Sequence, residues 1–83
     1  MMTHKIVSKR PIQPNQWQIE VDLSPQNPLE TTAIANVGRT KATDLERQLV
    51  EDYLYFNLNL GNYSVIDLLA QRGTLFQLKV YIE

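Results

Sequence analysis

From Gln16 to Leu23 apolar and polar residues alternate without a break. Trp17, Ile19, Val21 and Leu23 fall on one side, and Gln16, Gln18, Glu20 and Asp22 on the other. Successive side chains of a strand point to opposite faces, so this pattern predicts a strand with one dry face and one wet face. The stretch from Thr74 to Glu83 repeats it, with Phe76, Leu78, Val80 and Ile82 set against Leu75, Gln77, Lys79 and Tyr81. Two such strands argue for a single sheet, antiparallel or mixed, whose dry face is covered by helices.

Lys5 to Ile12 reads as a weaker strand ahead of the first, and Gln13-Pro14-Asn15 supplies turn chemistry, with Pro14 preset for the first inner position of a turn. A hairpin closed over Gln13 to Gln16 would place Ile12 opposite Trp17, Ile6 opposite Leu23 and Lys9 opposite Glu20, a favourable cross-strand charge pair. Pro11 has no amide donor, which favours an edge position for this strand. The terminal strand and this first one then offer the edges at which another chain could pair.

Ser24-Pro25-Gln26-Asn27-Pro28 breaks regular structure. After it the signals conflict. Asn27 as cap, Pro28 at the first helical position, Glu30 at the third and Gly38 as terminator frame a helix. Thr31, Thr32, Ile34 and Val37 are β-branched and favour a short extra strand. Residues 28–37 are therefore read as irregular.

Thr43 can cap a helix whose first turn carries Asp44 and Glu46, with Glu46 at the capping-box position. Arg47 and Glu51 are spaced to pair on its solvent side. The helix is expected to reach about Asn57, before Gly61-Asn62. Ser64 with Asp67 then starts a second, shorter helix through Arg72, closed by Gly73, with Val65, Leu68 and Leu69 facing the core. The expected fold is a small two-layer α+β domain. Its mostly antiparallel sheet has three strands, or four if residues 28–37 add one, and is covered on one face by two helices in the order β-β-(irregular)-α-α-β. No linker or repeat divides the 83 residues, so the chain is one domain.

Within that frame Tyr53-Leu54-Tyr55-Phe56-Asn57-Leu58-Asn59-Leu60 satisfies two periodicities at once. As a strand, Leu54, Phe56, Leu58 and Leu60 share a face. As a helix, Leu45, Leu49, Tyr53, Phe56 and Leu60 form one apolar stripe and Val50, Leu54 and Leu58 a second. One sheet needs only one stripe. The second is either covered by the short helix or left as an interface, for which Tyr53 and Tyr55 suit as neighbours because aromatic side chains favour interface cores. Val50, Leu54, Leu58, Tyr53 and Tyr55 are accordingly the candidate interface.

Chemistry is hard to place on this chain. There is no cysteine, which removes disulfides, thiolate metal sites and cysteine nucleophiles and is compatible with a reducing, cytoplasmic setting. The single histidine, His4, lies near the N-terminus and reads as a solvated side chain, so a catalytic triad is not expected. Glu46, Glu51 and Asp52 read as a solvated acidic side and not a coordination shell. No enzyme, cofactor or metal is expected. No apolar run approaches the roughly 20 residues of a membrane-spanning helix, and the first residues lack the apolar core of a secretion signal.

Gly38-Arg39-Thr40-Lys41-Ala42-Thr43 is the one stretch resembling a ligand-handling loop, with Arg39, Thr40 and Lys41 able to hold a phosphate or nucleotide at a helix start. It lacks nucleotide-loop spacing, and Asp44 and Glu46 already place negative charge there. The formal net charge is -1 with basic residues scattered, so nucleic acid is an unfavoured partner, with weak single-strand binding through Lys5, Lys9, Arg10 and Lys79 as the version to test. By elimination the chain reads as a non-enzymatic interaction or regulatory subunit that docks on a protein partner or on its own copy, through the central helix or a strand edge.

Overall fold

The computed structural model describes residues 1–39, 41–58 and 60–82. Strands β1 (Thr3–Gln13), β2 (Gln16–Ser24), β3 (Tyr63–Arg72) and β4 (Leu75–Ile82) form one antiparallel sheet in the order β1-β2-β4-β3. Helices α1 (Pro28–Asn36) and α2 (Asp44–Asp52) cover one face, and a π-helical turn, Tyr53–Asn57, extends α2. The two-layer α+β architecture is thus the expected one, in its four-stranded form.

The fourth strand comes from a different place than the sequence signals indicated. Residues 64–72, expected as a second helix, form β3, and residues 28–37, expected as irregular, hold α1. In α1 the framing signals prevail: the Asn27 side chain accepts from the Glu30 amide at 2.9 Å, and the Glu30 carboxylate accepts from the Gln26 amide at 2.8 Å. Two donors at the helix start are satisfied this way, which outweighs the modest penalty of β-branched residues. In β3 the local cap signals lose to a hairpin. Gly73 adopts a φ of 62° in the two-residue turn to β4, and the paired strands gain a full ladder that a two-turn helix cannot match.

Two bulges in β3, between Val65 and Asp67 and between Leu68 and Ala70, interrupt its alternation. Tyr63, Val65, Leu68 and Gln71 consequently align with Ile82, Val80, Leu78 and Phe76 on the helix side, the spacing widening from two to three at each bulge.

β1 is an edge, as Pro11 implied, but β4 lies inside the sheet, so the second open edge belongs to β3 and not to the terminal strand. The expected hairpin register holds only at the turn, where Gln13 faces Gln16. Two irregularities in β1 shift the rest, so that Pro11 faces Trp17, Lys9 faces Ile19 and Ile6 faces Val21. Lys9 and Glu20 are therefore not opposed. Glu20 instead accepts a hydrogen bond from the Ser8 hydroxyl at 2.7 Å.

The core is the helix side of the sheet. Ile19, Val21 and Leu23 from β2 and Phe76, Leu78 and Val80 from β4 are almost fully buried against Ala33, Ile34, Val37, Val50 and Leu54. The molecule is 38 Å long, whereas a nine-residue helix spans only about 14 Å. The helices cover part of the dry face, and Leu58 and Leu60 pack against the core beyond them. Among the described residues no helix is long and apolar enough to cross a membrane.

Candidate functional site

The central helix is fixed at its start by a reciprocal cap. The Thr43 hydroxyl accepts from the Glu46 amide at 3.1 Å, and the Glu46 carboxylate accepts from the Thr43 amide at 2.9 Å. The second Glu46 oxygen accepts from the Asn36 side chain at 2.8 Å, which ties the end of α1 to the start of α2. The hydrogen bond from the Thr43 backbone, with that from Asn36, holds the Glu46 carboxyl below its ordinary value.

This start orients α2 so that the two apolar stripes exchange the roles that one sheet would have assigned them. Val50 and Leu54 are 0% and 1% exposed and face the sheet, and half-buried Leu58 packs beside them. Tyr53 is buried as well. It shares a 2.7 Å hydrogen bond with Nδ1 of His4, so His4 is a half-buried partner within β1 and not a solvated terminal side chain. Burial, with the nearby Glu30 carboxylate, raises the Tyr53 hydroxyl above its ordinary value. Four of the five expected interface residues therefore serve this chain's own core.

The other stripe is open only in part, since Tyr53 is buried within it and Leu60 packs against the core. Leu45 is 65% exposed and Phe56 80% exposed, with half-buried Leu49 between them at helical spacing. The π-helical turn contributes directly. Its wider winding rotates Phe56 away from the side that Tyr53 holds, placing the ring in solvent. A cavity of about 240 Å³ opens beside Leu49, between Met1, Glu30 and Asn57. Asp52 lies three residues after Leu49 and four before Phe56, with its carboxylate exposed, and the one cation on α2, Arg47, is paired with Asp44 at 3.2 Å in place of the expected Glu51.

Tyr55, the fifth expected interface residue, points to the edge of β3. Burial, with the carboxylates of Asp67 and Glu51, raises its hydroxyl above the ordinary value, although the Leu68 backbone lies close enough to lower it slightly.

The loop expected to hold an anion is mostly used internally. The Arg39 amide donates to the Asn36 carbonyl at 2.9 Å and the Ala42 amide to the Arg39 carbonyl at 3.1 Å, while the capping box occupies the start of α2. Arg39 and Lys41 are exposed, and Thr40 lies outside the described residues. The Arg39 side chain borders a groove of about 570 Å³ between the end of α1 and β3.

Of the basic residues considered for nucleic acid, Lys9 stacks over Tyr63 at 5.4 Å on the helix side, whereas Lys5, Arg10 and Lys79 lie on the wet face, with Arg10 bonding Gln18 at 3.1 Å. Among the described residues no three His, Asp or Glu side chains converge as a metal site would require. Compared with known protein families, curated proteins and solved structures, the chain matches none of them.

Proposed function

We propose that this protein is a non-enzymatic docking domain that binds a protein partner through the outward face of α2, with Leu45, Leu49 and Phe56 as the apolar contact. The observation that carries the reading is the pairing of an 80% exposed phenylalanine and a 65% exposed leucine on one side of a helix whose other side closes a complete core. Aromatic anchors of this kind supply much of the free energy of protein interfaces, and π-turns recur where a helix serves a function. The exposed Asp52 carboxylate beside Leu49 and Phe56 favours a partner whose apolar patch is rimmed by Lys or Arg, which speeds encounter and rejects acidic surfaces. A reducing, cytoplasmic setting suits a chain without cysteine.

The test compares the wild type with Leu45→Asp/Phe56→Asp. Both proteins are immobilised in native lysate, the retained proteins are quantified, and self-association is followed by sedimentation. A partner retained by the wild type and lost by the folded double variant supports the reading. Identical retention by both proteins, with both monomeric, contradicts it.

A further inference from the structure

The open edge of β3 runs beside the end of α1, and the groove between them is lined by Ala35, Gly38 and Arg39 on one wall and Leu69, Ala70 and Gly73 on the other. Its geometry is built in. Gln71 donates from Nε2 to the Ile34 carbonyl at 2.7 Å and to the Gly73 carbonyl at 3.0 Å, fixing the helix end at a set distance from the strand. Gly38, at a φ of 86°, passes so close that a Cβ there would lie 3.3 Å from Gln71 Oε1. The groove follows β3 from Leu68 to Gly73, room for about five residues of extended chain at roughly 3.3 Å each.

Two observations define what fits it. The first is the strand edge itself: β3 is the outermost strand of the order β1-β2-β4-β3 and pairs with β4 on its inner side. Among the described residues no strand pairs with the outer side of β3, and Leu69 is 43% exposed along that edge. The second is charge. Among the described residues the only ion pair is Arg47–Asp44, so Arg39 stands at its wall without a carboxylate, while Glu51 and Asp67 crowd Tyr55 at the other end. A negative group is attracted to the Arg39 end and repelled from the Tyr55 end.

We infer that this groove binds an extended acidic peptide segment, which adds to β3 as a fifth strand and sets a carboxylate against Arg39. Main-chain pairing along Leu69 to Arg72 supplies the affinity, Leu69 and Ala70 accept an apolar side chain, and the Arg39 guanidinium reads the acid, arranged as in other strand-addition sites. The site uses none of Leu45 and Leu49 of α2 or Phe56 of the π-helical turn, so either can fail without the other.

A random hexapeptide library displayed with free C-termini tests it, panned in parallel on the wild type and on Arg39→Glu/Leu69→Lys. Enriched peptides are then titrated in acid and C-terminally amidated forms against labelled protein. The expected result is enrichment, on the wild type only, of alternating β-branched sequences carrying Asp, Glu or an essential terminal carboxylate. These shift the amides of residues 68–72 and bind Arg39→Ala roughly tenfold more weakly, as loss of one charge-assisted hydrogen bond implies. Retained affinity of the amidated form assigns the carboxylate to a side chain, and lost affinity assigns it to the C-terminus. No enrichment over the double variant, or enrichment without an acidic preference, overturns the inference. So do shifts confined to α2, which would leave only the docking face standing.

Discussion

The Tyr53 hydroxyl and Nδ1 of His4 lie 2.7 Å apart, joining the last turn of the helical layer to the edge strand β1 across 49 residues of sequence. Their rings meet edge to face, with centroids 5.7 Å apart. This contact closes the end of the core on which Leu49 and the exposed stripe rest.

Tyr53→Phe removes the hydroxyl and keeps the ring, so it is expected to cost about 1 kcal/mol in urea unfolding near neutral pH, the usual worth of one partly buried hydrogen bond. The hydroxyl is raised above the ordinary 10.0, so the folded state favours its neutral form. That contribution is present below pH 10 and is lost as pH climbs through the folded-state value. An alkaline unfolding series should show wild type losing stability above pH 10 more steeply than Tyr53→Phe.

Glu46 has the opposite sign. Its carboxyl is lowered from 4.5, so the stabilisation is full above that value and disappears as pH falls through the lower, folded-state one. Acid titration followed by circular dichroism should show a shallower loss below pH 4.5 for Glu46→Gln than for wild type. Removing the other half of the capping box, Thr43→Ala, is expected to cost about 1 kcal/mol at neutral pH.

Gly38 carries the chain out of α1 with positive φ, and a Cβ there would crowd Gln71 Oε1. Gly38→Ala is expected to destabilise by about 1 kcal/mol or more through backbone strain. Combining it with Gln71→Ala should give less than the sum of the two single effects, because one clash is removed from the pair. A thermal-unfolding cycle of the four proteins measures the coupling; strict additivity would show that the two groups do not meet.

The two stripes of α2 make opposite predictions. Leu54 is 1% exposed, so Leu54→Ala should cost about 3 kcal/mol, while Phe56, 80% exposed, should change stability by less than about 0.5 kcal/mol on truncation. Equal losses at the two positions would mean that Phe56 is packed within the domain.

Much of this architecture can be read from local patterns. β2 and β4 alternate cleanly because each buries one face, and α2 begins where Thr43 and Glu46 can satisfy each other's amides. β3 was hidden for a physical reason. Its bulges insert Ile66 and Leu69, so Val65, Leu68 and Gln71 share a face at spacings that mimic a helix turn. The signal that could have revealed it is the two-residue turn at Gly73-Thr74 between apolar runs.

The stripe of Leu45, Leu49 and Phe56 was visible as a periodicity, but its exposure was not. Which of two stripes meets the sheet depends on how α1 and the Asn36–Glu46 contact rotate α2, and on the π-turn after it. The groove at β3 was out of reach entirely, since Arg39 and Leu69 are brought together only by the strand order.

The most direct measurement of the docking face places a photo-crosslinking amino acid at position 56 and irradiates the protein in native lysate, with the same group at Lys5, on the opposite face of the sheet, as control. A discrete protein adduct at position 56 that is absent at position 5, and that disappears when Leu45→Asp is added, is the result expected. Adducts equally abundant and diverse at both positions, or none at position 56, would contradict the assignment of α2 as the binding surface.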